Sequence, residues 1–353
     1  MSQTSTIESN ATVSTLQLQN GQIVSYKSNV AKDTGEIPII DISGIFSKDI
    51  EDRKAVAEQV REAASRIGFF YAVNHGIEGR YKEDTFEQAR RFFALPMEEK
   101  MSVWTGLVPN EYYNGLCACG RLPESRNRTD RALDLSEAFN WAYDAQYDPA
   151  AVDKERPSIS IWPDGLPGFK ETLYAYHTQL LMLARKMTRM FALALRMPED
   201  YFDEYVKRPE AAMRILHYPE QEQPLSLQAP AEEQNGIGAH TDFECFTMVT
   251  QDDCGGLEVL SRSGDWVKAP PVPGALVVNI ADCFMRQTND FFVSTVHRVI
   301  NKSGKERYSC PFFFGFDVPS CVSKENPMKY PVMTSGEYYK FRVDRAKSSG
   351  LGN

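Results

Sequence analysis

The chain has no Cys-x-x-Cys pair, no excess of basic residues, and only five histidines in 353 residues. Nor does it contain an apolar run approaching the roughly 20 residues that a membrane span requires. Its seven cysteines are odd in number and mostly sit within apolar segments, as small hydrophobes do, which argues against a zinc ribbon or a disulfide scaffold. With 39 basic against 48 acidic side chains and a net charge of −9, nothing favours the polyanionic backbone of nucleic acid, and a small-molecule partner fits better. The opening MSQTSTIESNATVSTLQLQNGQ has no basic n-region, apolar h-region or cleavage site. These features predict a soluble, cytoplasmic protein with no membrane partner, monomeric by default, carrying a flexible N-terminal tail over residues 1–35.

What is present is enough apolar material, 42% of residues, to bury a sizeable core, in one large β-rich domain or two smaller ones. EIPIIDIS (Glu36 to Ser43) reads as a strand, and Val56, Val60, Ala63 or Ala64, and Ile67 recur at helical spacing until Gly68 stops the helix. FFYAVNHGI (Phe69 to Ile77) is a strand running into a turn, and FEQARRFFALP (Phe86 to Pro96) an amphipathic helix ended by proline. A long helix from about Gly168 to Met197 carries one apolar stripe of Leu173, Leu180, Ala184, Met187, Phe191 and Leu195. Beyond it come short β pieces at about ten-residue spacing, which suggest a barrel or jelly roll rather than a parallel sheet. Thr334 followed by Glu337 forms a capping box for a last helix over 334–347.

Within those strands GAHTDFECF sets His240 and Asp242 two residues apart, a spacing that in a strand turns both side chains to one face. A bare His-x-Asp is also what a surface hydrogen-bonded pair looks like. A third ligand would come from His297, the one histidine downstream. Two histidines and one carboxylate on one side of a metal leave the opposite positions open, which suits an Fe(II) that must take a cosubstrate and oxygen together. Arg307 and Ser309, again at i and i+2, lie on an apolar strand with Phe313. An arginine inside a barrel is costly unless an anion pairs with it, and its planar fork matches a carboxylate.

This set, HTD, His297 and RYS (Arg307 to Ser309), resembles the Fe(II)- and 2-oxoglutarate-dependent oxygenases of the isopenicillin N synthase-like type. IPIIDIS, GFFYAVNHGI, RFFALPMEEK, MRILHYP, GGLEVLSRSGDWV, PGALVVNIAD and RYSCPFFF are similar to that family's landmarks in order and spacing, so the resemblance spans most of the chain. It implies a mainly β fold with flanking helices around a double-stranded β-helix, or jelly roll. That is one oxygenase domain over 36–353, with helical and strand support over 36–200 and the core mainly over 211–320. It further implies that His240, Asp242 and His297 ligate Fe(II), that Arg307 and Ser309 bind the distal carboxylate of the cosubstrate 2-oxoglutarate, and that Tyr218 assists. On the same resemblance O2 would be the oxidant, with succinate and carbon dioxide released as a small organic molecule is hydroxylated, desaturated, epoxidised or cyclised. A specialised metabolite or a nucleobase-like compound fits as substrate.

The chain departs from the family pattern at Leu216, where plant members carry asparagine, at Ala281, where glycine is usual, and at Tyr112, which precedes Tyr113. Two other functions stay open. In an oxidase like isopenicillin N synthase, Arg307 and Ser309 would hold the substrate's own carboxylate. Alternatively, an inactive barrel would serve as a binding module. The first is separated by consumption of 2-oxoglutarate, the second by iron binding. Phe243, Phe313 and Phe139 are candidates to wall the substrate pocket, with Tyr113 and Arg214 as polar contacts, although a phenylalanine in a strand also fits a core. His75, His177 and His217 read as structural, and the arginines from Arg121 to Arg131 as a solvated loop or a contact for an acidic substrate.

Overall fold

The computed structural model describes residues 13–17, 22–33, 37–107, 115–118, 136–152, 154, 160–220, 236–301, 303–316, 328–331, 333–334, 336–338 and 340–342. At the N-terminal end β1 (Ser14–Gln17) pairs antiparallel with β2 (Ile23–Tyr26), followed by β3 (Ser28–Lys32) and β4 (Ile39–Asp41). Helix α1 (Ile50–Arg66) leads into β5 (Phe69–Val73), then α2 (Gly79–Phe93), α3 (Met97–Met101), β6 (Gly115–Ala118) and β7 (Glu137–Trp141). The long α4 (Phe169–Ala194) precedes β8 (Glu210–Tyr218), β9 (Ile237–His240), β10 (Phe246–Gln251), β11 (Leu257–Leu260) and β12 (Asp265–Lys268). The described β region closes with β13 (Leu276–Ile280), α5 (Asp282–Gln287), β14 (His297–Val299) and β15 (Arg307–Gly315).

An eight-stranded sheet in the order β4-β5-β13-β10-β15-β8-β7-β6 faces a five-stranded sheet in the order β3-β12-β11-β14-β9. This is the double-stranded β-helix, with helices packed on the outside of the larger sheet. Alternation along each strand sorts the larger sheet into two faces. Its outer face, with Phe70, Phe139, Ile215, Phe246, Phe312 and Phe314, joins α1, α2 and α4 in the main apolar core. Its inner face, with Phe69, Tyr71, Leu216, Tyr218 and Val277, meets Leu257, Val259 and Val299 of the smaller sheet. Burying each of these large side chains contributes about 2–3 kcal/mol, so the outer layer fixes where the inner face points.

The helices start and stop where their ends are satisfied. The Asp49 carboxylate accepts from the Glu51 N–H at 3.0 Å to cap α1. Gly68, at φ +74°, closes its other end by donating to the Ala63 carbonyl at 2.9 Å. A Cβ there would lie 2.2 Å from the Val293 carbonyl oxygen, so only glycine fits. Helix α4 runs 26 residues without glycine or proline and buries all of the expected stripe through Phe191. The Thr334–Glu337 capping box is formed in both directions, at 2.8 and 3.1 Å; residues 343–347 of the expected last helix lie outside the described residues.

Two expectations need correction. The stretch read as a tail contributes strands: β3 pairs in parallel with β12, and Tyr26 and Ala31 join Trp266 and Val296 in a separate buried cluster. Its alternation is diluted by serine, glutamine and asparagine, and the edge it completes lies far downstream. The second helix starts at Gly79, two turns before Phe86, because its charged opening carries no apolar stripe. No helix among the described residues is long and apolar enough to cross a membrane.

His177 is buried in α4, its Nε2–H donating to the Ala211 carbonyl at 3.1 Å, with Tyr174 and Phe312 edge-on. Burial pushes this imidazole from 6.5 down to about 4. The folded state therefore holds it neutral, a contribution that is complete above about pH 6.5 and lost as pH falls toward 4, worth about 3 kcal/mol in all. In urea unfolding, the stability of His177→Gln should fall less than that of the parent between about pH 7 and about pH 4.5. Parallel losses would mean that His177 does not titrate with folding.

Candidate metal centre

The site begins where two strands of the smaller sheet meet. β9 ends at His240 and β14 begins at His297, and the two residues are directly opposed across the ladder, with ring centroids 4.3 Å apart. The His240 Nδ1–H donates to the Gly238 carbonyl at 2.8 Å and the His297 Nδ1–H to the Thr295 carbonyl at 3.1 Å. Because a carbonyl only accepts, both Nδ1 atoms carry the proton and both Nε2 atoms present lone pairs. Those atoms lie 3.7 and 3.6 Å from Asp242 Oδ1, too long for hydrogen bonds and suited to three donors turned on one ion. His240, Asp242 and His297 are the one set of three or more potential metal ligands whose donor atoms lie within 4.8 Å of one another among the described residues.

Asp242 is 8% exposed and divides its oxygens. While Oδ1 faces the histidines, Oδ2 accepts from Thr247 Oγ1 at 2.6 Å and from Asn279 Nδ2 at 2.8 Å. Burial works to raise its pKa, but the positive charge of the two imidazoles when protonated, together with these two donors, outweighs it and holds the carboxyl below the usual carboxylate range. Thr247 and Asn279 are paired across β10 and β13 on the inner face, and Phe69 beside Asn279 sets its ring edge-on to His297 at 5.3 Å. One expectation changes here. His240 and Asp242 do not share a strand face, since β9 stops at His240. The following turn delivers Asp242, held by the Asp282 N–H to the Asp242 carbonyl at 3.0 Å and the Cys283 N–H to the Phe243 and Glu244 carbonyls at 3.1 and 3.0 Å.

Further along the inner face Arg307 opposes Tyr218, and Ser309 lies between Gln251 and Leu216. Arg307 is 1% exposed. Its guanidinium donates to the Gly255 carbonyl, to Ser309 Oγ at 3.2 Å and to Gln251 Oε1 at 3.3 Å, and lies 4.6 Å over the Tyr218 ring. No acidic side chain among the described residues pairs with it, and the Tyr218 hydroxyl and Gln251 Nε2 are buried without hydrogen-bond partners. A buried cation beside two unsatisfied polar groups has the chemistry to take a carboxylate.

The substrate candidates separate. Phe313 faces inward on the rung of Thr247, and Arg214, opposite Asn140, is half-buried with its Nε lacking a partner among the described residues. Phe243 follows Asp242 and is half-buried beneath the Arg342 guanidinium at 4.2 Å. Phe139 is on the wrong face for a pocket wall: fully buried in the outer core, it packs on Phe92, Trp162 and Phe169. An inward residue of β7 would be Ala138 or Asn140, and the pattern EAFNW does not reveal which parity faces in. Tyr113, Tyr112 and Arg121 to Arg131 lie outside the described residues. His75 accepts from the Ile77 N–H at 3.1 Å in a turn, and His217 points outward, stacked on Tyr308 at 5.0 Å. Ala281 caps α5 in extended backbone at φ −109°, so no glycine is needed there, and Leu216 makes the inner wall apolar beside Ser309. Sequence reasoning missed Thr247, Asn279, Gln251 and Asp282. For Asn279 and Asp282 the signal was their position in NIAD, at the end of an apolar strand.

Comparison with known proteins agrees with this geometry. The family model for the non-haem dioxygenase in morphine synthesis N-terminal region matches residues 37–165, and that for the 2OG-Fe(II) oxygenase superfamily matches 209–316. The 2-oxoglutarate-Fe(II) type oxidoreductase ppzC of Metarhizium majus is 40% identical over 84% of this chain and 83% of its own. The oxidoreductase of that type named hxnY in Emericella nidulans is 35% identical over 84% and 86%. Among solved structures, a full-length Neurospora crassa protein in complex with alpha-KG (2-oxoglutarate) and thymine superposes with a TM-score of 0.76 at 28% identity, over 90% of this chain and all of that one.

The chain belongs to the 2OG-Fe(II) oxygenase superfamily.

It is accordingly an Fe(II)- and 2-oxoglutarate-dependent oxygenase that oxidises a small molecule. Its interior fits both groups on its own evidence: two imidazole lone pairs and a carboxylate converge at one point, and a guanidinium without an acidic partner among the described residues lies further along the inner face. In this oxygenase, Phe139→Ala should lower unfolding free energy by about 3–5 kcal/mol while leaving 2-oxoglutarate affinity unchanged. A stable variant with altered cosubstrate binding would return Phe139 to the pocket.

Proposed function

We propose that His240, Asp242 and His297 hold the Fe(II) and that Arg307, Ser309 and Tyr218 take the distal carboxylate of 2-oxoglutarate, with Gln251 completing that cradle. The observation that carries this is Arg307, a buried guanidinium without an acidic partner among the described residues, on the inner face that also holds Thr247 and Asn279. Bound Fe(II) supplies the oxygen chemistry, in which a substrate C–H, 2-oxoglutarate and O2 become oxidised product, succinate and carbon dioxide. The protein's own part is placement. Thr247 and Asn279 keep Asp242 ionised and aimed, the Nδ1 hydrogen bonds hold both imidazoles in the ligand tautomer, and the aromatic walls exclude water.

The substrate binds beside Phe313 and Phe243, with Arg214 as its polar contact. The Arg214 Nε, without a partner among the described residues, and the inward-facing Phe313 of the adjacent strand support a small, flat molecule carrying a carbonyl or carboxylate, a nucleobase-like compound or a comparable specialised metabolite. Thymine in the Neurospora structure is such a molecule. A reducing, cytoplasmic setting is part of the proposal, supported by Cys245, Cys283 and Cys310 being buried as small hydrophobes.

Anaerobic titration of the Fe(II)-loaded protein with 2-oxoglutarate should develop the visible charge-transfer band of a chelated keto acid, and Arg307→Ala should weaken that titration about 10- to 100-fold. If Fe(II) binds without a band, Arg307 and Ser309 serve the carboxylate of the substrate itself, as in an oxidase that consumes no 2-oxoglutarate. Where the band forms, succinate release across a panel of small carbonyl compounds identifies the substrate, for which Arg214→Ala should raise KM about tenfold with an unchanged 2-oxoglutarate affinity. Loss of the keto-acid band in Arg214→Ala would move that arginine into the cosubstrate cradle.

A further inference from the structure

Thr241 and Asp242 lie beyond the end of β9, where no ladder holds them; Thr247 and Asn279 hold the Asp242 carboxylate, and Asp282 holds the Asp242 backbone and the Thr241 hydroxyl. The Asp282 N–H donates to the Asp242 carbonyl, and its carboxylate accepts from Thr241 Oγ1 at 3.0 Å. That carboxylate is 3% exposed and therefore needs a counter-charge. The charge arrives from 60 residues downstream: Arg342, itself 3% exposed, pairs through Nη1 with Asp282 Oδ2. The same Nη1 donates to the Tyr338 hydroxyl at 2.9 Å, and that hydroxyl lies 3.4 Å from Asp282 Oδ2.

Arg342 thus reaches both neighbours of the carboxylate ligand. Through Asp282 it holds Thr241, on the N-terminal side of Asp242, and its guanidinium covers the ring of Phe243, on the C-terminal side, at 4.2 Å. Its ion pair is with Asp282, whereas Asp242 Oδ1 faces the two histidines, so its influence runs through the turn. The helical turn that carries it is begun by the Thr334–Glu337 capping box and contributes Tyr338 to the main apolar core.

We propose that the C-terminal helical turn is a positioning element of the metal centre, in which Arg342 neutralises Asp282 and so fixes the His240-Thr241-Asp242 turn. Without that cation, the buried Asp282 carboxylate has no counter-charge and turns toward water. That movement releases Thr241 and slackens the backbone bond to Asp242. The proposal rests on the reading that this triad holds Fe(II), and its test separates the two.

Fe(II) affinity is measured anaerobically by chelator competition, and the visible spectrum of the Co(II)-substituted protein reports ligand geometry. Arg342→Met should raise the Fe(II) dissociation constant about 10- to 100-fold and alter the Co(II) spectrum, as loss of an outer-shell contact does. The 2-oxoglutarate affinity of metal-saturated protein should change less than about threefold, because the Arg307 cradle is untouched. Arg342→Lys keeps the charge and should restore most of the metal affinity, a rescue that generic loss of packing would not show. A folded Arg342→Met protein with parental Fe(II) affinity and Co(II) spectrum overturns the proposal. If that chain does not fold, Thr241→Val, which retains the ion pair, carries the test, and unchanged metal affinity there overturns it equally. Failure of the parent to bind Fe(II) would overturn the triad assignment itself, and the positioning role with it.

Discussion

Everything in this site depends on how one carboxylate is shared. Asp242 gives Oδ1 to the two imidazoles and Oδ2 to Thr247 and Asn279, so a single side chain ties the smaller sheet to the larger one. Both groups of partners act on it. The donors to Oδ2 favour the ionised form against burial, and the histidines opposite one another are what Oδ1 completes. The turn that carries it is anchored in α5, so the strand end, the helix start and the inner face of the sheet all converge on one residue.

The larger sheet makes that arrangement possible by working as a partition. On β15, Tyr308, Cys310, Phe312 and Phe314 bury into the helical layer, while Arg307, Ser309 and Phe313 face the barrel. β8 repeats the division with Met213 and Ile215 outward and Leu216 and Tyr218 inward. A one-residue slip of either strand would exchange the two sets, placing arginine in the apolar core and phenylalanine in the cradle, so the cost of burying an unpaired charge enforces the register. The same force that packs the helices therefore orients the chemistry.

Much of this was legible in the residues, and the reasons differ by element. α4 declares itself because a 26-residue run without glycine or proline keeps its stripe in phase. The ligands and Arg307 declare themselves because polar groups inside apolar strands demand an explanation. Phe139 misled because EAFNW is buried on both faces and carries no parity. The N-terminal strands were invisible because β3 borrows its order from β12, a pairing that local composition does not encode.

The sequence by itself determined which residue types were available for metal, keto-acid and substrate, and the helices and strands on which they ride. Both follow from local periodicity and from the chemical demands of each side chain. Only the tertiary structure decided that Asp242 is delivered by a turn rather than a strand, that Thr247 and Asn279 share its second oxygen, and that Arg342 reaches back to Asp282. Those outcomes depend on contacts between segments distant in the chain, whose energies arise when the sheets close on one another and have no counterpart in the local pattern.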